Sequence, residues 1–288
     1  MITLSHGGLE LDLTPEIGAG VTRLAFDGRN VLRPAAPGAT DVLDMGTFAL
    51  VPFANRIENG VLKFQGHEYR LHRNMGDHPH PLHGHGWRTA WRVVSLSRDQ
   101  ATLAYDHEPS DWPWSYSAEQ VVTLADGAAN FHLTVRSRDT NPMPTTLGFH
   151  PYFPRTPTTR LTASVKGMWK CNDTMIPTEH VVGSPLLDLG HGALVDKAPF
   201  VDNSFTGWSG PARIDQPDSG LTITLTASPE CTYLHVYDPL GESFFCAEPV
   251  SAMPNAFVRP EPASVTGTRV LAPGESFAIE MRIGVRRS

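Results

Sequence analysis

The chain of 288 residues is 40% hydrophobic and 18% charged, which is typical of a globular protein and excludes an intrinsically disordered chain. Its 23 basic and 30 acidic residues give a formal net charge of −7, so no cationic stripe is available to neutralise a nucleic-acid backbone. We therefore expect no nucleic-acid partner, and the length fits either two ordinary domains or one large β domain.

Short segments in which apolar and polar residues alternate recur along the chain, each bounded by turn residues, and this pattern predicts strands. In chain order the predicted strands are 9–13, 61–64, 67–71, 91–96, 101–106, 116–124, 130–136, 221–227, 232–237, 243–246 and 277–285.

The clearest supersecondary element is a hairpin that joins 116–124 to 130–136 across a loop containing Asp126-Gly127, where glycine tolerates the positive φ of a tight turn. Twenty-five glycines and 25 prolines punctuate the chain instead of forming one linker. No stretch of 12 or more residues has an apolar 3.6-residue period, so helices should be short and few. We predict an all-β fold, a large antiparallel β-sandwich, as a single domain over 1–288.

The cysteines and the N-terminus bear on the compartment. Cys171, Cys231 and Cys246 are odd in number and form no CxxC pair, which argues against a disulfide framework and a thiolate zinc site, so we expect reduced, buried thiols. The first residues, MITLSHGGLELDL, lack the pattern of a signal peptide, and no window reaches 18 apolar residues. We expect a cytoplasmic protein with no membrane partner.

Four segments mix polar, aromatic, glycine and proline residues in a way that strand formation alone does not require. They are PFANRI at 52–57, HPHPLHGHGW at 78–87, GFHPYF at 148–153 and AEP at 247–249.

The histidine run at 78–87 permits three interpretations. Its four imidazoles could bind one zinc ion, but there is no HExxH helix and two prolines make the backbone irregular. A solvated loop and a sugar-binding loop are the alternatives. Loss of activity on chelation, restored by metal, would favour the zinc site.

His150 and Glu248 are the candidate proton-transfer groups. His150 follows a hydrophobic run and precedes Pro-Tyr-Phe, so it should lie at a strand end among aromatic residues, where a structural histidine would look the same. Glu248 follows an apolar segment, and a buried carboxylate there needs either a function or an ion pair with an arginine.

Together and in this order, these segments resemble the aldose 1-epimerase (galactose mutarotase) family, from about residue 45 to 260. The resemblance is to a bacterial side branch of the family, and five motifs in series carry it, none of which is specific alone. They are Asn55-Arg56, Leu82-His83-Gly84, His150-Pro151-Tyr152-Phe153, Asp202-Asn203-Ser204-Phe205, and Glu248 followed by Pro254-Asn255-Ala256.

The resemblance implies a large β-sandwich with an open polar groove, a small sugar as substrate, and neither cofactor nor metal. In this family the glutamate takes the proton from the anomeric hydroxyl while the histidine protonates the ring oxygen. The ring opens to the free aldehyde, the bond beside the carbonyl rotates, and reclosure gives the other anomer. The resemblance therefore makes His150 the acid and Glu248 the base.

The resemblance also assigns the substrate-binding residues. Asn55, Arg56 and His83 would hydrogen-bond sugar oxygens, and Asp202 would accept from ring hydroxyls. Trp208 or Trp87 could offer an aromatic face to the sugar, although a core tryptophan fits the sequence equally well.

The chain departs from the family pattern at several positions, which affects the sugar specificity more than the reaction. The double glycine after the first histidine is replaced by Gly84-His85-Gly86, and Phe149 stands where an asparagine is common. The late glutamate is followed by Pro249-Val250 instead of a polar pair.

Two alternative functions remain open. A hexose-6-phosphate mutarotase would need Arg56, Arg73 and Arg88 to converge on a phosphate. A non-catalytic sugar-binding protein would need no acid–base pair. The sequence indicates neither the sugar nor the oligomeric state.

Overall fold

Two large antiparallel sheets dominate the computed structural model, which describes residues 1–288. The first has nine strands, in spatial order Ala193–Leu194, Arg160–Ala163, Ala212–Gln216, Leu221–Ala227, Ser276–Arg287, Ala128–Ser137, Tyr116–Ala125, Gln100–His107 and Arg92–Leu96. The second, which we call the site sheet, has eight strands: Pro177–Val182, Gly167–Cys171, Val201–Thr206, Tyr233–Asp238, Phe244–Val250, Gly148–Phe149 and Ala49–Leu50 in spatial order, with Tyr152–Pro154 also paired to Phe244–Val250.

Smaller sheets and short helices complete the chain. A four-stranded sheet contains Ile2–His6, Leu9–Thr14, Gly20–Phe26 and Arg29–Asn30, and two-stranded pairs join Val61–Phe64 to His67–Arg70 and Met143–Thr145 to Arg269–Leu271. The one α-helix is Ala263–Thr266, and the 3₁₀ turns are Val42–Asp44, Glu58–Gly60, Gly86–Arg88, Leu189–His191, Val195–Lys197 and Ala256–Val258. The prediction of few, short helices is confirmed, and none of them has the length and apolar character needed to cross a bilayer.

The main core lies between the two large sheets. It is a cluster of 58 buried apolar residues that includes Leu225 and Ile283 from the nine-stranded sheet and Phe205 and Leu234 from the site sheet. Side chains from both inner faces therefore share one interior, as in a β-sandwich. The predicted antiparallel β-sandwich is confirmed. That residues 1–288 form a single domain stays a prediction.

The predicted hairpin is present with strands Tyr116–Ala125 and Ala128–Ser137. Asp126 and Gly127 connect them with φ values of 50° and 68°, which is the left-handed geometry of a two-residue hairpin turn. Alternate residues of Tyr116–Ala125 are buried, so the apolar residues of the alternating sequence pattern mark the side of this strand that faces the core.

Strands of the site sheet are harder to recognise in the sequence because both of their faces are buried. Val201–Thr206 is buried at five of six positions and Phe244–Val250 at six of seven, so neither shows alternation. The predicted strand 243–246 is therefore too short. Glu248 lies inside the strand instead of after it.

Two glycines hold the predicted sugar-binding loop against the strand that precedes Pro52. Gly84 has a φ of 72°, and a Cβ there would overlap Pro52 Cδ and the carbonyl oxygen of Val51. At Gly86 a Cβ would overlap Val51 Cγ1. The substitution of the family's double glycine by Gly84-His85-Gly86 thus keeps glycine at both points of close contact.

We expect Gly84→Ala to destabilise the protein by about 1–3 kcal/mol through overlap, in addition to about 1–2 kcal/mol for a side chain in the left-handed region. Urea unfolding measures the change. The matched control is Gly66→Ala, because Gly66 has a φ of 81° but nothing within 4 Å of its Cβ direction. Equal losses in the two variants would contradict a close contact at Gly84.

Candidate active site

A cavity of about 430 Å³ opens over the site sheet and gathers most of the candidate residues. Its polar lining is Asn55, Arg56, His78, His83, His150, Asp202, His235 and Glu248. Its apolar lining is Leu43, Met75, Leu82, Tyr152, Met175, Phe200, Tyr237 and Phe244. Two other cavities of about 470 Å³ contain no buried acid–base pair, so chemistry and not size distinguishes this one.

Three neighbouring strands place the acidic and basic groups on one face of the site sheet. His235, on Tyr233–Asp238, lies in register with Ser204 on one side and Glu248 on the other. Asp202 is two residues from Ser204 on Val201–Thr206, so its side chain projects to the same face. Antiparallel register thus aligns residues far apart in sequence.

Arg56 and Asp202 form a buried bidentate ion pair across the cavity floor. The guanidinium nitrogens lie 3.2 Å from Oδ1 and 2.6 Å from Oδ2, with only 11% and 6% of the two side chains exposed. Burial alone would raise the pKa of Asp202, but the charge of Arg56 and the hydrogen bond from His235 outweigh it and hold the pKa below its ordinary value. Asp202 is therefore a carboxylate at neutral pH.

His235 connects this ion pair to the next strand, and it belongs to none of the motifs identified in the sequence. Its Nε2 lies 2.9 Å from Asp202 Oδ1 and its Nδ1 lies 2.8 Å from Ser204 Oγ. A carboxylate only accepts, so Nε2 donates to Asp202. A histidine within the mostly apolar strand Tyr233–Asp238, which is buried at five of its six positions, was the available signal, because such a group requires partners.

Asn55 and His83 fix each other through their backbones. The Asn55 N–H donates to His83 Nδ1 at 3.1 Å, and the His83 N–H donates to the Asn55 carbonyl at 2.9 Å. Because Nδ1 accepts, Nε2 of His83 carries the proton and is left to donate to a ligand. Burial and the charge of His150 lower the pKa of His83 well below its usual value, so this imidazole stays neutral.

His150 and Glu248 meet at 3.4 Å between Nε2 and Oε1, with 9% and 2% of their side chains exposed. The imidazole packs against two aromatic rings, those of Phe48 and Tyr152, whose centroids lie 4.9 and 4.7 Å from its own. These contacts confirm the predicted aromatic surroundings. The partner of the glutamate is therefore this histidine and not an arginine.

Burial has opposite consequences for the two members of this pair. It lowers the pKa of His150 to about 3 and raises the pKa of Glu248 well above its ordinary value. Burial therefore favours the uncharged form of both groups. His150 Nδ1 and Glu248 Oε2 are both buried without a hydrogen-bond partner in the protein, which is unusual for polar atoms in an interior.

The four histidines of the run at 78–87 do not converge on one point. His83 is held by Asn55 in the cavity, whereas His80 Nδ1 accepts from the Asn59 N–H at 3.0 Å. His85 pairs with Asp111 at 2.8 Å, outside the cavity lining. The zinc interpretation of this run is not supported, because the side chains have separate partners.

Two further expectations need correction. Trp87 and Trp208 are 0% and 3% exposed and neither lines the cavity, so they are core residues instead of sugar platforms. Arg88 lies over the Trp87 ring and faces Asp41, and Arg73 does not line the cavity either. Arg56 is thus the one arginine at the site.

The sequence and structure match known proteins along the whole chain. The family model described as Aldose 1-epimerase matches residues 1–284. The chain belongs to the aldose 1-epimerase family. The uncharacterized protein YphB of Escherichia coli K12 is 35% identical to it over 291 residues, with 98% of each chain covered.

Solved members of the aldose 1-epimerase fold superimpose on the whole chain. The crystal structure of a candidate aldose 1-epimerase from Escherichia coli K12 has 34% identity and a TM-score of 0.90, covering 99% of this chain and 98% of that chain. A galactose mutarotase-like protein from Clostridium acetobutylicum, 20% identical, has a TM-score of 0.88 and covers 99% and 95%. The fold is therefore that of galactose mutarotase-like proteins.

The buried imidazole should make the stability of the protein depend on pH in a defined direction. Unfolded His150 binds a proton near pH 6.5, whereas the folded residue does so only near pH 3. Between these values the unfolded state binds more protons, so lowering the pH should reduce the free energy of unfolding by about 1.4 kcal/mol per pH unit through this residue.

Urea unfolding at several pH values below 6.5 tests this expectation. The raised pKa of Glu248 acts in the opposite sense, because the stability that it contributes is present at low pH and lost as the pH rises above 4.5. His150→Asn removes the histidine contribution, so on acidification this variant should lose less stability than the wild-type protein, or gain stability. His132→Asn, which replaces an exposed imidazole, should keep the wild-type slope; equal slopes in both variants would refute the assignment.

Proposed function

We propose that the chain is an aldose 1-epimerase that interconverts the α and β anomers of a free aldose, with His150 as acid and Glu248 as base. The observation that carries this proposal is the 3.4 Å contact between an imidazole and a carboxyl group in a cavity that is also lined by Arg56, His83 and Asp202. General acid and base groups must lie within reach of the same substrate, and these two do.

The proton transfers balance without any further reagent. In ring opening, the Glu248 carboxylate takes the proton of the anomeric hydroxyl, the bond between the anomeric carbon and the ring oxygen breaks, and imidazolium His150 protonates that oxygen. Rotation about the bond beside the new aldehyde presents its other face. The reverse transfers close the ring as the other anomer, so the pair returns to its starting state.

The proton count explains how a buried pair serves this reaction. A carboxylate beside an imidazolium and a carboxyl beside an imidazole contain the same number of protons. The first state accompanies the closed ring and the second accompanies the open aldehyde. Because burial favours the neutral pair, the site favours the proton arrangement of the open-chain stage.

The Arg56–Asp202 pair keeps some hydrogen-bonding capacity for the sugar. A carboxylate offers about four acceptor positions, and Asp202 uses three of them for Arg56 and His235. Arg56 Nε has no partner. We assign Asp202 as an acceptor from a sugar hydroxyl, and Asn55, Arg56 and His83 as groups that bind sugar oxygens.

Glu248→Gln should abolish mutarotation, because an amide cannot accept the anomeric proton. The usual contribution of a general base is about 10²–10⁴-fold. Polarimetry of a freshly dissolved α-sugar, corrected for the spontaneous reaction, measures the loss. The matched control is Glu119→Gln, an exposed glutamate on Tyr116–Ala125, which should retain full activity.

The same variant distinguishes a catalyst from a sugar-binding protein. Calorimetry should show that Glu248→Gln still binds the sugar while turnover is lost. An unchanged rate of mutarotation in this variant would refute the base assignment, and no mutarotation by the wild-type protein on any aldose would leave the non-catalytic alternative.

A hexose-6-phosphate mutarotase is the second candidate, and the cavity charges disfavour it. Its single arginine is already paired with Asp202, so no free cation faces a phosphate dianion. We expect a higher kcat/KM for free glucose and galactose than for their 6-phosphates. A clear preference for the phosphates in a polarimetric screen would contradict this expectation.

A further inference from the structure

A second cavity, which we call the annex, lies beside the candidate active site. It has a volume of about 360 Å³ and is lined by Met168, Lys170, Cys171, Met175, Pro185, Leu186, Phe200 and Asn203. Met175 and Phe200 line both cavities, so the annex begins where the wall of the active site ends. Nothing in the acid–base reaction at the anomeric carbon requires this additional space.

Met175 and Phe200, the two residues shared by the cavities, are held in place by different contacts. Met175 has a φ of 61° in a turn that Asn172 closes, because the Asn172 side-chain oxygen accepts from the backbone of Thr174 and Ile176. Phe200 packs edge-on against Tyr237, with centroids 6.3 Å apart, yet 42% of it is exposed. A large aromatic side chain exposed at a cavity mouth is a typical contact surface for a ligand.

The polar groups of the annex already have partners. The Asn203 amide donates to the Trp169 carbonyl at 2.8 Å and its oxygen accepts from the Asp202 N–H at 3.2 Å. Lys170 pairs with Glu179 at 3.1 Å. Burial raises the pKa of Cys171 to about 12, so this thiol is neutral at pH 7.

This lining selects against a second sugar ring. Sugar hydroxyls that leave water need hydrogen-bond partners, and burying them without partners is unfavourable. The remaining annex residues, including Met168, Pro185 and Leu186, offer only apolar contacts. The annex therefore suits hydrocarbon better than hydroxyl groups.

We propose that the annex is a subsite for an apolar substituent, and that the preferred substrate is an aldose with a free anomeric hydroxyl and an alkyl or acyl group on another hydroxyl. This inference rests on the proposed function for the sugar-binding part of the cavity. The substituent passes between Met175 and Phe200 while the sugar ring stays beside His150 and Glu248.

Alkyl ethers of glucose and galactose test the subsite directly. Polarimetry should give kcat/KM for 4-O- and 6-O-ethers from methyl to butyl. We expect a rise of about fourfold per methylene in at least one series, corresponding to about 0.8 kcal/mol per buried methylene. Flat or falling values in both series would overturn the proposal, as would a greater gain from chains that end in a carboxylate.

Variants then locate the gain in the annex. Leu186→Asp places a charge there and should remove the increase along the alkyl series while leaving the unsubstituted sugar unchanged. Leu186→Phe, which fills the annex without a charge, should have the same effect if the aspartate variant does not fold. Val182→Asp is the matched control, because Val182 is 89% exposed and lies outside the annex, so the increase should persist.

Calorimetric binding of the same ethers separates this proposal from the proposed reaction. If no sugar is mutarotated but affinity still rises with alkyl length in wild-type protein and not in Leu186→Asp, the annex is a binding subsite and the catalytic proposal fails. If plain sugars are mutarotated and neither affinity nor kcat/KM rises with alkyl length, the catalytic proposal stands and the annex proposal fails.

Discussion

The ion pair between Arg56 and Asp202 joins the parts of the molecule from which the site is built. Arg56 comes from an irregular loop, and Asp202 from a central strand of the site sheet. Around this contact, His235 binds the carboxylate and Asn55 binds the guanidinium, while Asn55 in turn holds His83. Removing either charge would leave the other one buried without its partner, which is costly in a protein interior. The position of the loop that carries Arg56 therefore depends on the carboxylate charge of Asp202 on the strand Val201–Thr206.

The acid–base pair uses a different device, because both of its members are buried where charge is unfavourable. His150 packs against two aromatic rings, and Glu248 has no arginine beside it. Opposite charges hold Arg56 and Asp202 together, whereas burial disfavours the charged forms of His150 and Glu248. Neighbouring strands of the site sheet thus shift the pKa values of two carboxyl groups in opposite directions, that of Asp202 down and that of Glu248 up.

The sequence predicted the outer architecture better than the site. Alternation identified strands with one exposed face, such as Tyr116–Ala125, because a half-buried strand must vary with a period of two. It failed for Phe244–Val250, which is buried on both faces, and so placed Glu248 outside its strand. The family motifs supplied five ionisable groups of the site, which are Arg56, His83, His150, Asp202 and Glu248. They omitted His235, whose importance follows from register with Ser204 and Glu248, and register is a property of the paired strands.

The distances in sequence between these groups have a consequence for how the protein folds. Arg56 and Asp202 are 146 positions apart, and Glu248 lies beside a histidine almost a hundred residues before it in the chain. Contacts of such separation pay a large loop-closure entropy and form slowly, as is usual for sandwiches with non-local pairing. The complete set of cavity residues therefore comes together only once Phe244–Val250, the strand that carries Glu248, has joined the site sheet.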